Sequence, residues 1–382
     1  MDKGQKASSD RDNPRASTLD DLANAPSVEA TEHLPTAPLA GAIFTVHSAE
    51  RPDLELERAG PDRWLVRVRP DASKVLLGRP GASAKRVDAQ ELRDAVERVS
   101  LPDGHRPEWI RRQLLPRIIP RRVRRRGRLM FDLDGGITAG PHEGQLISDG
   151  LVYAELAERG WPWCTVGQIL INAPGQPQKA GSAVLVGPNL ILTASHAVPW
   201  GAPDGSWSMQ FTPAYRATDP TPAPYGSSWV EHVRGHVTHE NNVNAFDYVI
   251  AKLHTPLGNN VGWMGSHSFG NDQGYQSHQQ WMSVGYPGQS GVPYLATDVE
   301  VLDVDSSGDG RELETADFLM GGWSGGPLLG FFGLDPKVLG IASGHETEVS
   351  IGLVHVTDTN SVFAGGKHMV DLVKYGYANW PV

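Results

Sequence analysis

The stretch GSAVLVGPNLILTASHAV, residues 181–198, reads as two short apolar strands joined by a tight turn. Val184, Leu185 and Val186 precede Gly187-Pro188-Asn189, and Leu190, Ile191 and Leu192 follow it. Glycine, proline and asparagine are residues that turn a chain. The second strand ends in Thr193-Ala194-Ser195-His196, where small neighbours let an imidazole stand clear at a strand end. A lone histidine is more often structural than catalytic, so its meaning depends on what else the chain supplies.

Two further segments supply it. In FDYVIAKL, residues 246–253, Asp247 directly precedes a strand with apolar residues at 249, 251 and 253. Its plain reading is a strand-capping carboxylate, and its functional reading is the buried group that orients His196. In GGWSGGPLLG, residues 321–330, Ser324 lies among glycines and is followed by an apolar strand. Flanking glycines let a backbone approach a ligand closely, and the Gly322 and Ser324 amides can then point at a developing oxyanion. A neutral serine hydroxyl attacks poorly unless a histidine takes its proton and a carboxylate fixes that histidine's tautomer. The three segments together supply those parts.

Thr-Ala-Ser-His, Asp-Tyr-Val-Ile-Ala-Lys-Leu and Gly-Trp-Ser-Gly-Gly-Pro, in that order, resemble the signature segments of the chymotrypsin-like serine proteases. The separations, 51 residues from His196 to Asp247 and 77 from Asp247 to Ser324, suit two six-stranded β-barrels. The resemblance spans residues 158–382 and is strongest to the disulfide-poor bacterial and fungal branch that includes glutamyl endopeptidases. It implies a serine endopeptidase with His196, Asp247 and Ser324 as triad and no cofactor. It also implies that the backbone at Ser343, Gly344 and His345 pairs with a peptide substrate as an added strand.

The chain departs from the family at three points. Trp323 stands where digestive members carry the aspartate that pairs with a new N-terminal amine, so that ion pair cannot form. Phe318 stands where trypsin-like members read Lys or Arg, with Asp317 one step away; Phe318 and Leu319 suggest an apolar pocket instead. Ala342 stands where glutamyl-specific members place a histidine, although His345 is close by.

Outward from the protease-like region, short apolar runs at 165–171, 182–186, 190–194, 248–253, 281–285, 328–331 and 338–342 alternate with turn residues, an all-β signature. Residues 367–375 read as a helix with Met369, Val370 and Val373 on one side. The expected fold is therefore all-β, a chymotrypsin-like double β-barrel with a C-terminal helix. A disordered tail (1–40) and a small α+β module or propeptide (41–105) precede it. Within the module, 43–46, 64–68 and 74–77 read as strands and 88–99 as a helix carrying Leu92, Val96 and Val99.

Residues 106–128 hold ten Arg and one Glu, including RRVRRRGR at 121–128. They read as a solvated linker or a processing site, and less well as a docking segment for nucleic acid or membrane, because the chain is acidic overall at −10. Residues 129–157 then connect to the protease-like region. If the basic run is a processing site, the chain is a zymogen whose extension is removed by cleavage.

Asp303, Asp305, Ser307, Asp309 and Glu314 fit a calcium-loop spacing in part, but SSGDG between apolar residues reads more simply as a hairpin turn. The single Cys164 excludes an intrachain disulfide and a cysteine-rich zinc site. No run of about 18 apolar residues predicts a membrane span. The N-terminus has no signal-peptide core, which implies a cytoplasmic or non-classically exported protein. Beside the endopeptidase reading stand two others: a catalytically silent binding protein on the same fold, and a protease effector docked to a polyanion through the Arg-rich segment.

Overall fold

The computed structural model describes residues 14–26, 54–60, 63–68, 81–116, 118–120, 130–131, 137–138, 153–157, 159–238, 244–276, 281–288, 290–315, 319–350 and 355–382. The expected strands at 43–46 and 74–77 and the RRVRRRGR run lie outside these residues, as do 1–13 and 27–40 of the expected tail.

Among the described residues seventeen strands build the two larger sheets, Gly265–Ser266 and sixteen others. The others are β1 (Ser83–Arg86), β2 (Ile118–Pro120), β3 (Tyr153–Leu156), β4 (Val166–Asn172), β5 (Lys179–Leu185), β6 (Leu190–Thr193), β7 (Ser208–Pro213) and β8 (Ser228–Gly235). They continue as β9 (Val249–Leu253), β10 (Trp281–Gly285), β11 (Tyr294–Val299), β12 (Val301–Ser307), β13 (Gly310–Thr315), β14 (Pro327–Phe332), β15 (Asp335–Ser350) and β16 (His355–Gly365). The helices used below are α1 (Leu19–Ala23), α2 (Ala89–Arg98) and α3 (Lys367–Asn379).

In the first sheet, β7-β4-β5-β6-β9-β8 run in order and β7 pairs back with β8, so six strands close into a barrel. The expected GPN turn joins β5 to β6. Every residue of β6 is buried, because the barrel interior takes one face and α3 covers the other. Gly376 of α3 lies so close to Leu190 and Ile250 that an added Cβ would meet them at 3.0–3.1 Å. Burial on both faces makes β6 read as a continuous apolar run rather than an alternating one.

The second sheet is antiparallel along β12-β13-β16-β15-β14-β10-β11-β3-β2, with Gly265–Ser266 added in parallel to β15. The mostly-β class, the closed barrel, the second antiparallel sheet and the C-terminal helix are the architecture the sequence predicts. In α3 the buried stripe is Met369, Leu372 and Val373, with Val370 partly exposed.

In the N-terminal part the expected helix at 88–99 and strand at 64–68 both form, the strand pairing with Leu54–Gly60, while the way residues 81–116 join the two sheets is not written in periodicity. Helix α2 begins where Asp88 accepts the Gln90 and Glu91 amides and buries Leu92 and Ala95 against the body of the protein, packing on α3. Strand β1 adds to the barrel, parallel to β8 with Ser83 opposite His232. Further on, His105 and Trp263 exchange backbone hydrogen bonds of 2.9 and 3.0 Å, and Gly104 N donates to Asp335. Lys337 pairs with Asp103 at 2.9 Å, and the Trp163 indole donates to the Gln113 carbonyl. Residues 81–116 thus form a strap lying on both sheets. Residues 14–26, within the stretch expected to be a tail, carry α1, capped reciprocally by Thr18 and Asp21, and Leu22 is buried. Ser17 N donates to the Phe331 carbonyl on β14, which fixes this segment to the second sheet.

The hairpin reading of residues 301–315 holds. β12 and β13 pair with Asp303 opposite Glu314, Asp305 opposite Glu312 and Ser307 opposite Gly310, leaving a two-residue turn at Gly308-Asp309. Extended strands advance about 3.3 Å per residue, so Asp303, Asp305, Ser307, Asp309 and Glu314 are drawn along a ladder rather than around a point. The calcium spacing is therefore not realised as a coordination loop.

Candidate active site

The site lies where β6, the segment before β9, the turn before β14 and strand β15 meet. β6 ends at Thr193, and a single helical turn at Ser195–Ala197 carries His196 out of the barrel. Asp247, directly before β9, is 0% exposed. His196 grips it twice: its amide donates to Oδ1 at 2.8 Å and its Nδ1 lies 2.7 Å from Oδ2. An ionised carboxylate only accepts hydrogen bonds, so the proton of this contact sits on Nδ1.

Two hydroxyls complete the cage around Asp247. Thr238 Oγ1 donates to Oδ1 at 2.8 Å, and Ser343 Oγ donates to Oδ2. Burial alone would raise the Asp247 carboxyl. The hydrogen bond and charge of His196, with the Ser343 hydroxyl and the His196 amide, outweigh it and hold the group below its ordinary 3.8.

Ser324, half-buried, sits in the tight turn ahead of β14. One residue of the barrel, Ser182 on β5, holds this turn from both sides. Its amide donates to the Ser324 carbonyl at 2.8 Å and its hydroxyl donates to the Gly322 carbonyl at 2.9 Å. The Tyr286 amide in turn donates to the Ser182 hydroxyl at 2.8 Å. With their carbonyls tied back, the Gly322 and Ser324 amides donate no backbone hydrogen bond among the described residues. Two positions demand glycine: Gly322 has φ +95° and Gly325 has φ +88°. A Cβ at Gly325 would also lie 2.0 Å from the Ser182 carbonyl and 2.3 Å from Thr193 Oγ1.

Trp323, between the two amides, is 1% exposed. Its indole passes over Gly285, where an added Cβ would lie 2.5 Å from the ring, and donates to Ser283 Oγ at 2.9 Å.

The residues expected to bind substrate divide. Ser343 lies at a bulge of β15, where the pairing with β16 shifts register between Ala342 and Gly344. Pairing of β15 with β14 stops at Pro327 opposite Ile341, so Ser343, Gly344 and His345 extend beyond the end of β14. Leu319 is buried, and its amide donates to Ser361 Oγ at 2.8 Å; the same hydroxyl lies 3.1 Å from His345 Nδ1. Ser361 thus joins two expected site residues that nothing local in the sequence connects. Phe318 lies outside the described residues. Ser182, Thr238, Ser283 and Ser361 were not singled out from sequence. Each is an ordinary hydroxyl in a strand or loop, and only its distant partner gives it a role.

Among the described residues no group of three or more His, Cys, Asp or Glu is placed to hold one metal ion. Cys164 is fully buried, and burial drives its thiol far above the usual range, which keeps it in the neutral form. Among the same residues no helix is long and apolar enough to cross a membrane.

No family model and no curated protein matches this chain. Solved structures with a similar chain path include a Glu endopeptidase in complex with MPD, at 18% identity and TM-score 0.45, covering 59% of this chain and 97% of that one. A thermostable serine protease, AL20, from an extremophilic microorganism aligns at 17% identity and TM-score 0.41, covering 58% and 99%. The protease Anisep from Arthrobacter nicotinovorans aligns at 18% identity and TM-score 0.39, covering 57% and 96%.

Proposed function

We propose that this chain is a serine endopeptidase in which Ser324 attacks the peptide carbonyl, His196 serves as base and then acid, and Asp247 orients the imidazole. The observation that carries this reading is the His196–Asp247 pair: a fully buried carboxylate that accepts from both the amide and the Nδ1 of one histidine. A carboxylate needed only to cap a strand has no use for an amide and an imidazole donor from one distant residue and two further hydroxyl donors.

The steps follow from the chemistry. Nε2 takes the Ser324 proton as Oγ bonds to the carbonyl carbon, and the tetrahedral oxyanion is met by the Gly322 and Ser324 amides. The imidazolium then protonates the leaving amine, which gives an acyl-enzyme. Water, deprotonated by the same Nε2, cleaves the ester and regenerates the serine. The peptide would lie along Ser343, Gly344 and His345, where β15 runs past β14, and add as a strand. Leu319, Ser361 and His345 would face the residue before the cut. The half-buried imidazole, beside the Ser361 hydroxyl, favours an acidic side chain there over a basic one.

The test is labelling of the full chain by a fluorophosphonate probe, followed by digestion of a peptide library. Wild type should be phosphonylated at Ser324 with loss of fluoride, and Ser324→Ala should not. A wild-type chain that folds but takes no label would set this reading aside in favour of a silent binding protein.

A further inference from the structure

Two histidines outside the triad meet in the cavity between α2 and α3. His236 follows β8 and His368 lies in the first turn of α3. Their Nε2 atoms face each other at 3.2 Å. The Phe246 ring backs both, 4.6 Å from His236 and edge-on to His368 at 5.1 Å. In front of them is a cavity of about 860 Å³ whose wall carries both signs of charge, Arg86 and Lys367 as well as Asp309 and Asp371. The separation is informative. A tetrahedral zinc ion with bonds of about 2.0–2.1 Å places two ligating nitrogens about 3.3 Å apart.

We propose that His236 and His368 form a two-imidazole site for a divalent transition-metal ion of the zinc class, and that its occupancy slows the reaction of Ser324. The buried Tyr248 hydroxyl lies 3.0 Å from His368 Nδ1. It accepts the Nδ1 proton when Nε2 is a ligand, the usual arrangement behind a metal-bound histidine. With the His368 proton on Nδ1, the hydrogen between the two Nε2 atoms belongs to His236; when the ion takes its place that proton moves through solvent to His236 Nδ1, so both rings stay neutral and each offers one Nε2 lone pair. Since no third protein ligand stands with the pair among the described residues, water from the cavity fills the remaining positions. Imidazole ligands select zinc, copper or nickel over calcium or magnesium.

The second half of the proposal rests on the protease reading. The His236 carbonyl accepts the Ser195 hydroxyl, next to His196, and Thr238, two residues on, holds Asp247. Phe246 and Tyr248 flank Asp247 in sequence. A dication in this shell opposes the positive charge that His196 must acquire as it takes the serine proton.

The experiment is zinc titration of the full-length Ser324→Ala chain by calorimetry, alone and with His236→Gln or His368→Gln. One ion per chain is expected, bound at least tenfold more weakly by either variant. Equal binding by the double variant overturns the site. Melting curves without metal show whether the variants fold. If they do not, anomalous scattering at the zinc edge from wild-type crystals with one equivalent of zinc decides, since the peak lies between the two Nε2 atoms or elsewhere. In the Ser324 chain, zinc should slow fluorophosphonate labelling at least severalfold, with recovery on chelation. Binding without slowing would overturn the regulatory half alone.

Discussion

The Trp323 indole donates a hydrogen bond of 2.9 Å to Ser283 Oγ on β10. Trp323 is the residue between the two amides proposed to receive the oxyanion, so this bond fixes the Ser324 turn to the centre of the second sheet. The anchor is uncharged and lies within the chain. Ser283→Ala strands a buried N–H donor, at a cost of about 1–3 kcal/mol, and should lower both the melting temperature and the rate of Ser324 labelling. Ser283→Thr, which restores an acceptor, should recover most of the labelling. Unchanged labelling in Ser283→Ala would show that the indole bond does not position the turn.

Asp247→Asn keeps the shape of the cage and removes its charge. An amide can present its N–H₂ to Nδ1 and so favour the wrong tautomer of His196. A loss of about 10⁴-fold in turnover is expected, with peptide KM little changed. Ser343→Ala deletes one donor and should cost much less, with the Asp247 carboxyl titrating higher. A steady-state comparison of kcat and KM separates these outcomes.

The strap of residues 81–116 bears on whether cutting the Arg-rich run frees the N-terminal part. Leu92, Ile110 and Leu114 are buried in the main core. At about 1.5–3 kcal/mol each, their removal takes much of a stability margin of about 5–15 kcal/mol. After light trypsin cleavage within residues 121–128, the two pieces should elute together in native buffer and separate only in denaturant. A chain begun at residue 129 should be poorly folded. Free release of the N-terminal piece in native buffer, with activity gained, would instead support a removable propeptide.

His267 packs between Phe269 and Phe332, with centroids at 4.7 and 5.0 Å. Burial first, then the Lys337 charge, lower it from 6.5 to about 4. Between these values the unfolded chain binds the proton and the folded one does not. Stability should therefore fall as pH drops from about 6.5 to about 4, level off below, and be unaffected above. His267→Leu should flatten the dependence of melting temperature on pH in that window. His368, also held at about 4, leaves a residual slope. An equally steep slope in the variant would show that His267 does not carry it.

Much of this was legible without coordinates. The strands β4, β5, β6, β9, β10 and β14 follow from apolar runs and turn residues, because strand formation there depends on neighbours within a few positions. His196, Asp247 and Ser324 stood out because each sits at a strand end in a recognisable local setting. The α2 helix was visible too, although Ala95 rather than Val96 joins Leu92 in its buried face.

The tertiary structure decided what joins these pieces. Ser182 grips two carbonyls 140 and 142 residues away, and Ser361 bridges Leu319 to His345. β1 pairs with β8 across nearly 150 residues, and His236 meets His368 across 132. A hydroxyl or an imidazole looks the same in sequence whether its partner is water or a distant carbonyl. Local periodicity records which face of an element is buried. It does not record which partner buries it, because that contact exists only once both sheets have closed around the same core.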